Sequence, residues 1–372
     1  MPLTFSPEQL AFREAVRSFL ADKSAEDDVR RLMATDEGYD TAVWAQLNEQ
    51  LGAAGLAVPE EYGGSGYTFR ELAIVLEEAG RSLLCAPLLS SVIASSAIIA
   101  SGDALAAKEL LPGIAQGTTI ATVAFTHAGQ DWDSQGATAT ARQAGEAGSW
   151  TVSGTAAYVI DGHTADLILV PASTPGGLSL FAVRAGEDGV TRSLLPTLDQ
   201  TRKLARLEFS GVPARLLGPE GAAAGTLDDV RRVAAAALAS EQAGVAEAAK
   251  EMAVQYAKER VQFGQPIAAF QAIKHKCADL HVAAESAKSA AYAAAAAVTE
   301  RPEDFAEIIA IAASFCSEAC LLAGHENIQI HGGIGFTWEH PAHLYYKRAR
   351  SSEFLLGDVT YHREILAAEI GL

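Results

Sequence analysis

Basic residues are scarce in this chain. In 372 residues, 28 Lys and Arg stand against 46 Asp and Glu, a net charge of −18. Such an acidic chain is a poor partner for nucleic acid, because phosphate backbones are held by clustered cations. Only a local basic pocket for a phosphorylated ligand stays open. Cysteine is scarcer still: Cys85, Cys277, Cys316 and Cys320 form no Cys-x-x-Cys pair. Cys316 and Cys320 stand one helical turn apart, but two thiols do not make a zinc site. They are expected to be buried core thiols in a reducing cytosol. Long apolar runs are also missing. The most apolar window, Leu88 to Ser101, is short and rich in serine, so no membrane span is expected. The opening MPLTFSPEQL has no basic stretch before an apolar run, so no signal peptide is expected. The histidines at 275, 281, 340, 343 and 362 keep no metal-binding spacing. Neither a Gly-x-Ser-x-Gly elbow nor a Walker loop occurs.

What is present describes a globular chain, 49% apolar and 20% charged, long enough for two or three packed units. Its periodicity changes twice and divides it into 1–117, 118–221 and 222–372. In the first segment Ser6 precedes Pro7, and Gln9 stands where a capping box wants it. Helical patterns follow, including Arg70 to Arg81, so this segment is read as all helical. In the second, strands are read at Thr119–Phe125, Trp150–Val152, Ala156–Ile160, Leu167–Val170 and Leu178–Val183. Ser153-Gly154 and Asp161-Gly162 are read as turns between them. Successive short strands without helices between them predict an antiparallel β domain. In the third, Thr226-x-x-Asp229 opens a helix to Arg260. Others are expected over Phe270–Arg301, Asp304–Gly324 and after Asp358. Alanine dominates these helices and suits close packing in a bundle. The expected fold class is α+β multidomain.

Three motifs make the family recognisable. Gly55-Leu56-x-x-Pro59-Glu60-Glu61-Tyr62-Gly63-Gly64 lies in the first segment. Tyr256-Ala257-x-Glu259-Arg260-x-x-Phe263-Gly264-x-Pro266-Ile267, with Phe270-Gln271, and Gln329-Ile330-His331-Gly332-Gly333-Ile334-Gly335-Phe336-Thr337 lie in the third. In this order and spacing the chain resembles the FAD-dependent acyl-CoA dehydrogenases. The resemblance implies an N-terminal helical domain, a middle β domain and a C-terminal four-helix bundle. It implies FAD held between the β domain and the bundle, with a neighbouring subunit completing the site. By position, Phe125 and Thr126 match the strand end that meets the flavin ring, with Thr126 as a hydrogen-bond donor. Tyr158 stands where the family usually has Trp beside that ring. Arg260, Phe263 and Gln271 match the part that grips FAD across a dimer interface. Gln329 and Gly333 match the segment at the adenine end. Read alone, Arg260 is an ordinary helix-end cation, Phe263 a core residue, and His331-Gly332-Gly333 a helix stop.

The resemblance also implies a reaction: a carboxylate takes the α-proton of an acyl-CoA thioester while hydride leaves the β-carbon for the flavin. Here the sequence departs from the family. The usual glutamate, just before the last helix, aligns with Gly357. The second family option falls near Val230 or Arg231, neither of them acidic. Two carboxylates offer themselves instead. Glu241 has Ala234, Ala237, Gly244, Val245 and Ala248 on its helix face, so it either meets a ligand or pairs with another chain element. That small-residue face also hints at a roomy pocket. Glu247, with Lys250 at i+3, reads as ordinary surface. Asp358 lies one residue past the usual site, where Asp before a helix is also a normal cap. A third alternative is that this chain carries no base. After the flavin strand, Thr126-His127-Ala128-Gly129-Gln130-Asp131-Trp132-Asp133 replaces the family's Thr-Glu-Pro-x-x-Gly-Ser-Asp, with Trp132 where a small hydroxyl residue commonly contacts CoA. The resemblance therefore implies a cytoplasmic acyl-CoA dehydrogenase, a homo- or hetero-oligomer built as a dimer of dimers, passing electrons to an electron-transfer flavoprotein. The alternatives are a non-catalytic subunit that completes the FAD site of a heteromeric enzyme, or a flavin oxidase or monooxygenase on the same fold.

Overall fold

The computed structural model describes residues 5–125, 137, 139–145 and 149–372. In chain order these hold α1 (Pro7–Lys23), α2 (Glu26–Met33), α3 (Thr41–Leu51), α4 (Phe69–Arg81), α5 (Leu88–Ala100) and α6 (Ala104–Ala115). The strands β1 (Ala121–Val123), β2 (Ala139–Gln143), β3 (Trp150–Ile160), β4 (Leu167–Thr174), β5 (Gly177–Arg184), β6 (Val190–Leu194) and β7 (Leu204–Leu217) follow. Then come α7 (Ala223–Glu259), β8 (Val261–Gln262), β9 (Gln265–Pro266), α8 (Gln271–Glu300), α9 (Phe305–His331), α10 (Ala342–Phe354) and α11 (Val359–Glu369). Contacts group them into two compact units, one of 1–31, 69–84 and 235–372, the other of 32–68 and 85–234.

The second unit is built on the sheet β1 to β7. Its pairings close on themselves, because β4 meets β1 and β2 along one edge and β5 on the other, while β5 also pairs with β7. Most pairs are antiparallel, as the pattern predicts, but β1 and β2 both run parallel to β4. Ile168, Val170, Phe181, Leu207 and Val212 fill the interior, with Trp150 against Phe181. Ser153-Gly154 is not a turn: it lies inside β3, where the register shifts between Val152 and Gly154. Opposite it Gly211 has φ 64°, and its N–H donates to Ser153 Oγ at 2.9 Å. A bulge needs the same glycine as a turn, so the pattern cannot separate them. The strand β7 escapes the sequence reading for the same reason, through Gly211 and Pro213. The strands β2 and β6 escape it because they are short and largely exposed.

In the first unit α9 packs against α8, α10 and α11, and α4 against α1 and α8. Helix α1 starts with the expected capping box between Ser6 and Gln9. The long helix α7 begins at Ala223, three residues before the expected cap, and Thr226 turns its hydroxyl to the carbonyl of Ala100 instead. Helix α9 does not stop at Gly324. It runs on to His331, and a Cβ at Gly324 would stand 3.0 Å from the Cα of Tyr346. That glycine serves a close crossing with α10, a helix the periodicity does not announce. The stretch Phe305–Phe336 is long and apolar enough to cross a membrane, an 18-residue window within it having mean hydropathy 1.8, and so is longer than the Leu88 window. Its buried residues, Ile309, Ala313, Cys316 and Cys320 among them, belong to the unit's core.

Candidate functional site

The motif after α7 folds as a tight hairpin. Val261 pairs with Pro266 and Gln262 with Gln265. The two residues between them, Phe263 (φ 53°) and Gly264 (φ 78°), both have left-handed backbone, as a two-residue primed turn requires. Glycine does this freely, but a phenylalanine there carries strain, and such strain concentrates where a side chain has a task. Phe263 is 91% exposed, edge-on to Phe270 at 6.0 Å. Arg260 and Gln271, at either end of the motif, are exposed as well. Phe263 is therefore not the core residue a reading in isolation gives.

Helix α9 ends at His331 because Gly332 has φ 65°, so the expected helix stop is real. Gln329 and Gly333 are exposed, and a Cβ built on Gly332 or Gly333 would meet nothing within 4 Å. Open backbone here, with an exposed aromatic and an exposed arginine at the hairpin, makes a set of groups that fits a large, flat, phosphate-bearing cofactor. Behind the open backbone the His331 ring stacks between Tyr256 and His340, each 4.2 Å away. Its Nδ1–H donates to the Asn327 carbonyl at 2.7 Å, and burial holds the His331 and His340 imidazoles below the usual histidine range. His343 lies edge-on to Trp338, and burial pushes it down to about 4.

In the second unit Phe125 is buried at the end of the segment after β1, with the Arg231 guanidinium 5.6 Å from its ring centre. Tyr158 is 55% exposed and has φ 56°, at the second register shift of β3. A non-glycine residue in that conformation, with its ring turned to solvent, repeats the pattern of Phe263. Thr126 and the stretch through Trp132 lie outside the described residues.

The carboxylates behave differently. Glu241 is 6% exposed, and its Oε1 accepts a hydrogen bond from Nη1 of the buried Arg348 on α10 at 2.8 Å. Of the two roles its sequence leaves open, pairing with another chain element is the one observed. At Gly244 the small-residue face beside it is filled by α4. A Cβ on Gly80 of α4 would lie 2.1 Å from the Glu241 carbonyl oxygen, and one on Gly244 would lie 1.8 Å from the Glu77 carbonyl oxygen. The two helices interlock backbone to backbone, which only glycine permits. Asp358 is the N-cap of α11, its Oδ1 accepting from the Tyr361 amide at 2.8 Å. Glu247 pairs with Lys250 at 2.7 Å, though both side chains are mostly covered.

Sequence reasoning misses Arg348, because no periodicity announces α10. It also misses Glu77 and Glu78, buried on α4 inside an apolar run. Glu77 accepts from Arg13 at 2.8 Å and from Tyr292, and Glu78 takes two bonds from Arg17. Burial raises the proton affinity of Glu77, while Arg13 and the Tyr292 hydroxyl oppose the rise. These pairs fasten α1 to α4 and engage both carboxylates.

With this geometry in view, residues 6–118 match the acyl-CoA dehydrogenase N-terminal domain and 229–371 the C-terminal domain. A protein of Mycobacterium tuberculosis named acyl-CoA dehydrogenase IpdE2 is 37% identical over 356 residues, covering 95% of this chain and 94% of that protein. Among solved structures, a variant of the Tcur3481-Tcur3483 steroid ACAD superposes with a TM-score of 0.88 at 31% identity, covering 98% of this chain and 97% of that one. The ChsE4-ChsE5 complex from Mycobacterium tuberculosis gives 0.88 at 27% identity, covering 100% and 99%.

Proposed function

The chain belongs to the acyl-CoA dehydrogenase family of FAD-binding oxidoreductases, and from that premise we propose that it is the FAD-binding, base-free subunit of a heteromeric acyl-CoA dehydrogenase. One observation carries this reading. The stretch just before α11, where the resemblance puts the usual base, reads Leu355-Leu356-Gly357 with no carboxylate, while Glu241 is engaged in a buried pair with Arg348 and Asp358 in the cap of α11.

The chain's own contribution is to bind and orient. Arg260, Phe263 and Gln271 would grip FAD, Gln329 and Gly333 would line its adenine end, and Phe125, Thr126 and Tyr158 would flank the flavin ring. FAD, when bound, accepts the hydride that leaves the β-carbon of the acyl group. The α-proton goes to a carboxylate of the partner subunit, and the electrons pass on to an electron-transfer flavoprotein. Solved relatives named for two gene products or for a complex support the heteromeric form, and the steroid relative supports a bulky acyl group.

The test is to purify the chain alone and with a co-expressed acyl-CoA dehydrogenase that keeps the usual glutamate, then follow acyl-CoA-dependent dye reduction. The expected outcome is FAD and activity in the pair and none in the single chain. Turnover by the chain as a homo-oligomer would sink the proposal. Within an active pair, Glu241→Gln in this chain should leave flavin reduction within about two-fold, where loss of a general base costs ~10² or more.

A further inference from the structure

The segment 332–339, which carries the open backbone of Gly332 and Gly333, begins and ends at imidazoles that touch. His331 is the last residue of α9 and His340 stands two residues before α10, with their ring centres 4.2 Å apart. Tyr256 of α7 also lies against the His331 ring, at 4.2 Å. Within the segment, Gly335 folds back so closely that a Cβ on it would stand 2.9 Å from the Cβ of His331. The stacked rings therefore tie both ends of the segment to the end of α9.

Both rings are held in their neutral form. The His331 Nδ1–H donates to the Asn327 carbonyl at 2.7 Å. The Ala342 amide donates to His340 Nδ1 at 3.2 Å, so that nitrogen carries no proton. Burial lowers the proton affinity of each. His331 faces the His340 ring and the Tyr256 phenol; His340 faces Glu26 and Arg30 of α2; and the adjoining His343 faces Arg30 and Lys347 of α10. The carboxylate in this group, Glu26, already pairs with Arg30 at 2.8 Å. A proton on each ring would set like charges side by side in a buried place and would break the bond from Ala342.

We propose that His331 and His340 are positioning residues that hold the adenine-end segment of the cofactor site through a contact that protons open. Neutral, the pair closes the segment into the shape that receives the cofactor. Protonated, the rings part and the segment is released. The role toward the cofactor rests on the reading given under Proposed function; the opening itself does not. The sign follows from the neutral closed form. A histidine freed from the stack takes its proton near about 6.5. The closed form is thus fully favoured above that pH and loses up to about ten-fold per ring for each pH unit below it.

Amide exchange of the peptide 332–341 tests the opening on the full chain, each rate divided by the intrinsic rate at the same pH. Protection should fall about ten-fold or more between about pH 7.5 and about pH 5.5 in the unsubstituted chain. In His340→Phe, which keeps a ring against His331 but takes no proton, it should change about two-fold or less. His340→Asn, whose side-chain oxygen can still accept from Ala342, should be equally insensitive to acid. No fall in the unsubstituted chain, an equal fall in both variants, or a parallel fall in α6, which would mark global unfolding, overturns the proposal. Flavin fluorescence in the co-purified pair then tests the role toward the cofactor. Release of flavin should speed up by a similar factor on acidification, and not in His340→Phe; release at one rate at both pH values overturns that role. A pair that holds no flavin even at neutral pH overturns the cofactor reading, while the exchange measurement still decides the opening.

Discussion

The hairpin after α7 and the turn before α11 are opposites. At the hairpin, Arg260, Phe263 and Gln271 stand in solvent, and Phe263 is held there by strained backbone. At the turn and on the neighbouring face of α7, Glu241, Arg348, Leu356 and Gly357 are buried and tightly packed. Both regions bear family motifs or family positions. The difference is that one is open to solvent and the other is filled by the chain itself. A protein keeps large aromatic surface exposed at a cost unless another molecule covers it, whereas a carboxylate buried beside an arginine is satisfied by the chain itself.

That contrast can be broken most forcefully at Glu241. Glu241→Gln splits a buried pair, and such losses run to about 3–5 kcal/mol. A denaturant titration should show the largest drop of the series there, and an unchanged midpoint would mean that the carboxylate is kept for chemistry. Next comes Gly244→Ala. With a Cβ 1.8 Å from the Glu77 carbonyl oxygen, α4 and α7 must part, and overpacking of this kind costs about 1–3 kcal/mol. Asp358→Ala should remove only a cap, about 1 kcal/mol by the same titration. The smallest stability effect belongs to Phe263→Ala, within about 0.5 kcal/mol because the side chain is exposed. Yet its flavin-to-protein absorbance ratio, measured in the co-purified pair, should fall sharply. A loss of stability with full flavin would reverse the contrast.

Much of the fold was legible. Helix starts at Ser6 and Asp358 follow from local chemistry, and the long helices from alanine-rich periodicity. What hid was whatever depends on a second element. Gly154 and Gly324 read as breaks because the strand and helix they face cannot be seen in one dimension. The partner of Glu241 lies 107 positions away, on a helix with no clear apolar stripe. The residues proposed to hold the cofactor rest on motif order, since nothing in Phe263 by itself says that it will stand outside the core. Of the small residues around Glu241, Gly244 makes room for the backbone of α4.

The buried imidazoles give the helical unit a debt to acid. His343 and His362 are each pushed down to about 4 by burial, whereas an unfolded histidine takes its proton near 6.5. Below that value the unfolded chain binds protons that the folded chain refuses, so stability is full above pH ~6.5 and drains as pH falls toward 4. Unfolding in that window should draw up to two protons from solution through these residues alone, a quantity that calorimetry in buffers of different ionisation enthalpy counts directly.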